Sequence, residues 1–285
     1  MSTVSPNFDA DTSAPVDDPT LATEYPLTPE QVRCMHEHGW AFLPGLISNE
    51  IAEQVRAHLL EQPLRPGEQI IKALMRNPNE KTGVVGTNTS HDGSVWRDPF
   101  FFDFATSRRV AGTAVRLMKQ PDALVAQDVS FTKAPGGGPT QPHQDYSYWP
   151  FDRRGELSIW IALVDISEDM GPLYYLEDSH REGPLGMHGG GDIRPTYPHL
   201  WESTIVGGKA LAVGDAQAHW DLTVHGARAN TSDRHREAYS VRYIRSDTIY
   251  SGIGYPHYDS FEMKPGTRFA DHGGFPRVDR HGLTA

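Results

Sequence analysis

His143 and Asp145 stand two residues apart in the stretch Thr140–Pro150, TQPHQDYSYWP. In an extended segment, side chains at i and i+2 leave the same face. An imidazole and a carboxylate separated only by Gln144 can therefore reach one small cation together. Two imidazoles and a carboxylate on one side of a metal, with open positions on the other, form the facial set that suits oxygen chemistry at ferrous iron. His143 and Asp145 supply two members of such a set, and the third must come from elsewhere in a chain with 14 histidines. His225, followed by Gly226, closes a strand far downstream, with enough chain between to cross a barrel and return on the opposite wall. Arg236 lies on the next strand, and its planar fork matches a carboxylate with two parallel hydrogen bonds. Arg228 is close enough to compete for that role.

These residues must be positioned by a framework legible in outline. Thr28, Pro29 and Gln31 form a helix start with N-cap, N1 proline and capping box, and Gly39 ends that helix after His38. Cys34 and His36 on it read as a packed thiol and a surface imidazole. Trp40–Pro44 reads as a short strand, and Ser48 caps a second helix through Leu60. The polar stretch from Glu61 to Gly93 reads as loop with one short element near Gln69–Met75. Ser107–Lys119 has helical apolar spacing, Leu124–Lys133 reads as a strand, and Ala134–Pro139 as a turn.

Glu156–Val164 is the clearest strand. Leu157, Ile159, Ile161 and Leu163 share an aliphatic face suited to packing against helices. Ser158, Trp160 and Ala162 share the other, where a Trp between two small residues suits a cavity wall. Gly171–His180 is a strand ending in a turn that holds His180. Met187–Pro198 is a flexible loop, with His188 and His199 facing solvent. Lys209–Val213, His219–Val224 and Arg236–Ile244 complete the strands. Many short strands between Gly/Pro turns, preceded by helices, make a mainly β fold: a jelly-roll, cupin-like barrel with an N-terminal helical layer.

Composition bounds the function. A net charge of −11 without a basic block argues against nucleic acid or an anionic membrane as partner. The single cysteine excludes an intramolecular disulfide and a cysteine-based cluster. Without a long apolar run or a signal peptide, a cytoplasmic protein is expected, a monomer or homodimer acting on a small molecule. Residues 1–25, polar and aperiodic, are expected as a flexible tail, and 26–285 as one domain. Within it, 246–285, with aromatics in Tyr250–Arg280, is expected to form a covering segment over the pocket or a subunit contact.

The segments HQDYSYWPF, Trp160 with GPLYYLEDSH, Gly214-Asp215 and HGARANTSDRHREAYSVRY together resemble the phytanoyl-CoA dioxygenase family. LTPEQVRCMHEHGWAFLPGLIS resembles its entry helix and strand. The resemblance covers most of residues 27–245. It implies a double-stranded β-helix and an Fe(II)- and 2-oxoglutarate-dependent dioxygenase that uses O2 to hydroxylate or otherwise oxidise a C–H bond of a small organic molecule, such as a secondary metabolite. Succinate and CO2 are released. His143, Asp145 and His225 are then the iron ligands, Arg236 the grip on the cosubstrate's far carboxylate, and Trp160 a neighbour of the cosubstrate. Gln127 is a further candidate contact, and Tyr146, Tyr148 and Trp149 candidate pocket walls. Ala227 departs from the family, which often has Ser there. Asp145, rather than a small residue, implies hydroxylation or desaturation and not halogenation. The competing reading is a cupin-like metal enzyme or binding protein that does not use 2-oxoglutarate.

Overall fold

The computed structural model describes residues 18–62, 92–186 and 193–284. The element expected near Gln69–Met75, most of the Glu61–Gly93 loop, His188 and the first half of the Met187–Pro198 loop lie outside them. Two helices, α1 (Pro29–His38) and α2 (Asn49–Glu61), flank strand β1 (Trp40–Leu43). The expected cap is formed: Thr28 Oγ1 accepts from the Gln31 amide while Gln31 Oε1 accepts from the Thr28 amide. Order starts earlier than expected. Pro19–Ala22 is a 3-10 turn, and Leu21 and Tyr25 are buried, so residues 18–25 pack on the core instead of forming tail.

Helix α3 (Pro99–Thr106) precedes α4 (Val110–Met118). Strands β2 (Asp122–Lys133), β3 (Thr140–His143), β4 (Leu157–Ala162), β5 (Leu173–Leu176), β6 (Ile205–Gly207), β7 (Ala216–Trp220), β8 (His225–Ala227) and β9 (Arg236–Ile244) follow, joined at the C-terminal end by β10 (Arg277–Asp279). Short helices α5 (Pro256–Asp259) and α6 (Phe269–His272) precede β10, and β11 (Gly282–Leu283) follows it. One sheet runs β1-β7-β4-β9-β2-β10-β11 and faces a second, β3-β8-β5-β6; the pairing is antiparallel throughout. No described helix is long and apolar enough to cross a membrane.

The alternation read in β4 is realised. Leu157, Ile159 and Ile161 join Tyr239, Val241 and Tyr243 of β9 in a core with Met35, Val55, Phe101, Phe104 and Leu117 of the helices. Trp160 and Ala162 point the other way, into the space between the sheets. On β2 the parity changes partway. A bulge between Val125 and Gln127 leaves Ala123 and Val125 on the helix side and adds Asp128 to it, where Tyr239 donates to its carboxylate at 2.8 Å. Gln127, Phe131 and Lys133 consequently lie opposite Arg242, Ala238 and Arg236, facing inward. Further down the chain the expected strand His219–Val224 divides: Asp221–Val224 forms a turn, Thr223 donates to the Gly39 carbonyl, and pairing resumes at His225.

Candidate metal centre

His143 ends β3 and pairs across the sheet with His225, the first residue of β8. Asp145 is not on the strand; it opens a 3-10 turn, Asp145–Tyr148. Gln144 between them keeps an extended backbone, so both side chains still emerge on one side. Nε2 of His143 lies 3.5 Å, and Nε2 of His225 3.8 Å, from Asp145 Oδ1. One ligand atom from each residue falls within 4.8 Å of the others.

The surroundings fix which atoms face inward. Nδ1 of His143 is 2.8 Å from the Gln141 carbonyl, and Nδ1 of His225 is 3.0 Å from the Thr223 carbonyl. A carbonyl only accepts, so both Nδ1 atoms donate and both Nε2 atoms keep lone pairs toward the centre. Asp145 is 2% exposed. Burial alone would raise its carboxyl, but the surrounding His225, Arg242, His143 and His219 hold it well below the usual carboxylate value. Burial, reinforced by His219 and His143, pushes His225 well below the usual imidazole value. Asp145 is thereby favoured as carboxylate and His225 as neutral imidazole, the forms in which each can hold a cation.

Three residues that sequence reasoning passed over complete this end. His219 Nε2 is 3.6 Å from Asp145 Oδ2, and its ring centroid is 4.3 Å from that of His225. Arg242 approaches the same oxygen at 3.8 Å, donates to Gln127 Oε1 at 3.1 Å, and places Cζ 4.6 Å over the Trp149 ring. Glu156 lies 3.8 Å from Arg242 Nε; burial and the Asp145 charge push its carboxyl well above the usual value. For two of them the signal was parity: His219 shares the face of Gln217, and Arg242 that of Arg236.

Arg236 sits at the other end of β9, 4% exposed. Its Nη1 donates to the Gly171 carbonyl at 2.8 Å, and its Cζ lies 5.4 Å over the Trp160 ring, while Nε has no hydrogen-bond partner. Arg228 is exposed and presents only its backbone carbonyl to the interior, to Lys133. Gln127 lies at the metal end, donating to Asp92 at 2.9 Å, and not beside Arg236. Tyr148 meets the His143 ring edge-on at 5.8 Å, and Trp149 lies under Arg242. Tyr146, whose phenol feels burial and then the Asp221 and Asp152 charges, lies toward those acids. His180 and the exposed His199 stand outside the cluster. Cys34 is a free thiol, half-buried, and His36 Nε2 donates to the Leu117 carbonyl at 2.9 Å. The C-terminal segment brings Tyr250, Tyr255, Tyr258, Met263, Phe269 and Phe275 onto Trp149 and Phe151.

The family model described as phytanoyl-CoA dioxygenase (PhyH) matches residues 35–238. The chain is 31% identical over 156 residues to a phytanoyl-CoA dioxygenase of Arabidopsis thaliana, covering 53% of this chain and 54% of that protein. It is 30% identical over 164 residues to phytanoyl-CoA dioxygenase domain-containing protein 1 of Bos taurus, covering 54% and 56%. The chain thus spans about half the length of the curated relatives it matches. Among solved structures, the non-heme alpha ketoglutarate dependent carbocyclase SnoK from nogalamycin biosynthesis superposes with a TM-score of 0.71 at 24% identity, covering 93% of this chain and 100% of that one. The epimerase SnoN in complex with Fe3+, alpha ketoglutarate and nogalamycin RO superposes with a TM-score of 0.67 at 21% identity, covering 84% and 94%. These two likenesses establish a shared fold.

Proposed function

The chain belongs to the phytanoyl-CoA dioxygenase family, and from that premise we propose that it is an Fe(II)- and 2-oxoglutarate-dependent dioxygenase acting on a C–H bond of a small organic molecule. The observation that carries this reading is the convergence of His143, Asp145 and His225, with ligand atoms within 4.8 Å of one another. The donor set fits iron: two imidazoles whose Nδ1 atoms are tied to carbonyls, and one carboxylate oxygen facing both Nε2 atoms. The interior fits a dicarboxylate too, because the Arg236 Nε–H is buried without a partner.

When bound, the iron couples oxygen activation to decarboxylation of 2-oxoglutarate, yielding succinate, CO2 and an oxidised substrate. The protein's part is positional. His143 and His225 present Nε2, and Asp145 presents Oδ1. Arg242, His219 and Ser158 hold Asp145 Oδ2 from behind, so the carboxylate cannot rotate freely. Arg236, seated over Trp160, orients the cosubstrate from its far carboxylate. Tyr148 and Trp149 wall the substrate side, and the segment carrying Tyr255 and Tyr258 covers it and excludes water.

Ferrous iron binding and succinate formation test the proposal. The unaltered protein should bind one equivalent of Fe(II) and release succinate from 2-oxoglutarate, and His225→Ala should do neither while keeping its fold. Full succinate formation by His225→Ala would remove this triad. Iron binding without any 2-oxoglutarate binding would leave a cupin-like metal protein instead.

A further inference from the structure

At the end of the inter-sheet space remote from the metal centre, two basic side chains are buried side by side. Lys133 is the last residue of β2, Arg236 the first of β9, and the two are directly paired across the strands on the inward face. Lys133 is fully buried and Arg236 nearly so. Their head groups converge. Lys133 Nζ donates to the Arg228 carbonyl at 2.7 Å and Arg236 Nη1 to the Gly171 carbonyl at 2.8 Å. Those two carbonyls belong to backbones in contact: a Cβ on Gly171 would lie 2.1 Å from the Arg228 oxygen.

No described residue nearby neutralises the pair. Among the described residues, no carboxylate makes an ion pair with either. Glu237, next to Arg236, points outward to Arg56 at 2.7 Å. On the loop that carries Gly171, Glu168 and Asp169 are exposed and engage Lys209 and Ser167. The turn after β2 brings Gly137 against the Lys133 stem, and Asn230 donates to the Lys133 carbonyl; neither brings charge. Charging both groups at once without an anion would be costly, and a bound anion relieves that cost.

We propose that Lys133 is a second grip on the far carboxylate of the cosubstrate, acting with Arg236 to bind a dicarboxylate in preference to a simple keto acid. This rests on the dioxygenase reading above. Arg236 offers its unpartnered Nε, and Lys133 turns its ammonium from the Arg228 carbonyl toward the incoming oxygen. Burial, then the Arg236 charge, lowers Lys133 to about 6. Near neutral pH it is largely uncharged until the carboxylate arrives, so binding the cosubstrate takes up a proton.

Anaerobic calorimetry on the Fe(II)-loaded protein tests this, with 2-oxoglutarate and with pyruvate, which has the keto acid but no far carboxylate. Lys133→Met should weaken 2-oxoglutarate binding on the order of 10- to 100-fold, as for losing a charged hydrogen bond, and leave pyruvate binding unchanged. Repeating the titration in buffers of different ionisation enthalpy should reveal uptake of most of a proton by the unaltered protein, absent from the variant. If Lys133→Met does not fold, the proton uptake of the unaltered protein decides alone. Unchanged 2-oxoglutarate binding in Lys133→Met, while Arg236→Met loses it, overturns the role of Lys133 and leaves the dioxygenase reading standing. Equal loss of both ligands makes Lys133 structural. Failure of the unaltered protein to bind 2-oxoglutarate overturns the dioxygenase reading itself.

Discussion

Arg236 and Arg242 lie on one strand, on one face, both buried, and their environments are opposite. Arg242 stands between Asp145 and Glu156, with Gln127 on Nη1 and Trp149 beneath it. Arg236 has a carbonyl, an indole face and the amine of Lys133. Burial alone lowers Arg236 to about 10; the carboxylates around Arg242 outweigh the same burial and raise it. A buried arginine enclosed by acids belongs to the protein's own electrostatics, whereas one left without an anion is prepared for a ligand. Type and burial do not distinguish the two; the company each keeps does.

The largest consequence falls on Arg242. Arg242→Met leaves Asp145 and Glu156 buried without their cation, and such a break costs roughly 3–5 kcal/mol. Denaturant titration of the protein without cosubstrate should show it. A loss below 1 kcal/mol by that criterion would erase the distinction between the arginines. Arg236→Met should leave that stability unchanged or raised, since it removes an unpaired charge.

His257 extends the contrast to the segment over the metal end. Burial lowers its imidazole to about 4, against the Asp128 charge and the Ala126 carbonyl; Arg97 and Arg242 oppose protonation, and Asp92, 3.6 Å away, is also engaged by Gln127. The folded state therefore prefers neutral His257. Its contribution is complete above the unfolded value near 6.5 and is lost as pH falls through 4, up to about 3 kcal/mol in all. His257→Gln should flatten the stability profile between those limits. An unchanged profile would show that this ring does not govern acid sensitivity.

Smaller, and confined to the cosubstrate, is the effect of Arg236→Ala. It should raise the KM for 2-oxoglutarate by the equivalent of about 1.5–3 kcal/mol. Arg228→Ala, at an exposed position, should change it by less than about 0.5 kcal/mol. The reverse ranking in steady-state kinetics would mean that Arg228, not Arg236, meets the cosubstrate.

The C-terminal segment shows how aromatic composition can leave an element's pairing unread. Its aromatics suggested a cover, and they do pack on Trp149 and Phe151. No periodicity announced that Arg277–Asp279 pairs with Leu124, Ala123 and Asp122 and extends the large sheet. Removing residues 266–285 would strip that strand, together with Phe269 and Phe275, so the segment contributes to stability. Helix α3 was missed for a different reason. Asp98 and Pro99 are good start signals, but a run as apolar as PFFFDFAT has no polar face by which to read a period.

What the sequence by itself determined was local. Two residues of separation put His143 and Asp145 on one side whether the chain continues as strand or turns at Asp145, because only Gln144 must stay extended. Alternation in β4 assigned Trp160 inward, since an antiparallel strand with helices on one side has no other place for its aliphatic face. Parity across a bulge was beyond it. Counted from Leu124 without interruption, Lys133 falls on the helix side; one extra residue between Val125 and Gln127 turns it and Gln127 inward. The meeting of His225 with His143, and of His219 and Arg242 with Asp145, likewise needed the two sheets to face each other. Each such pair lies far apart in sequence, and only the closing of the barrel brings it into contact.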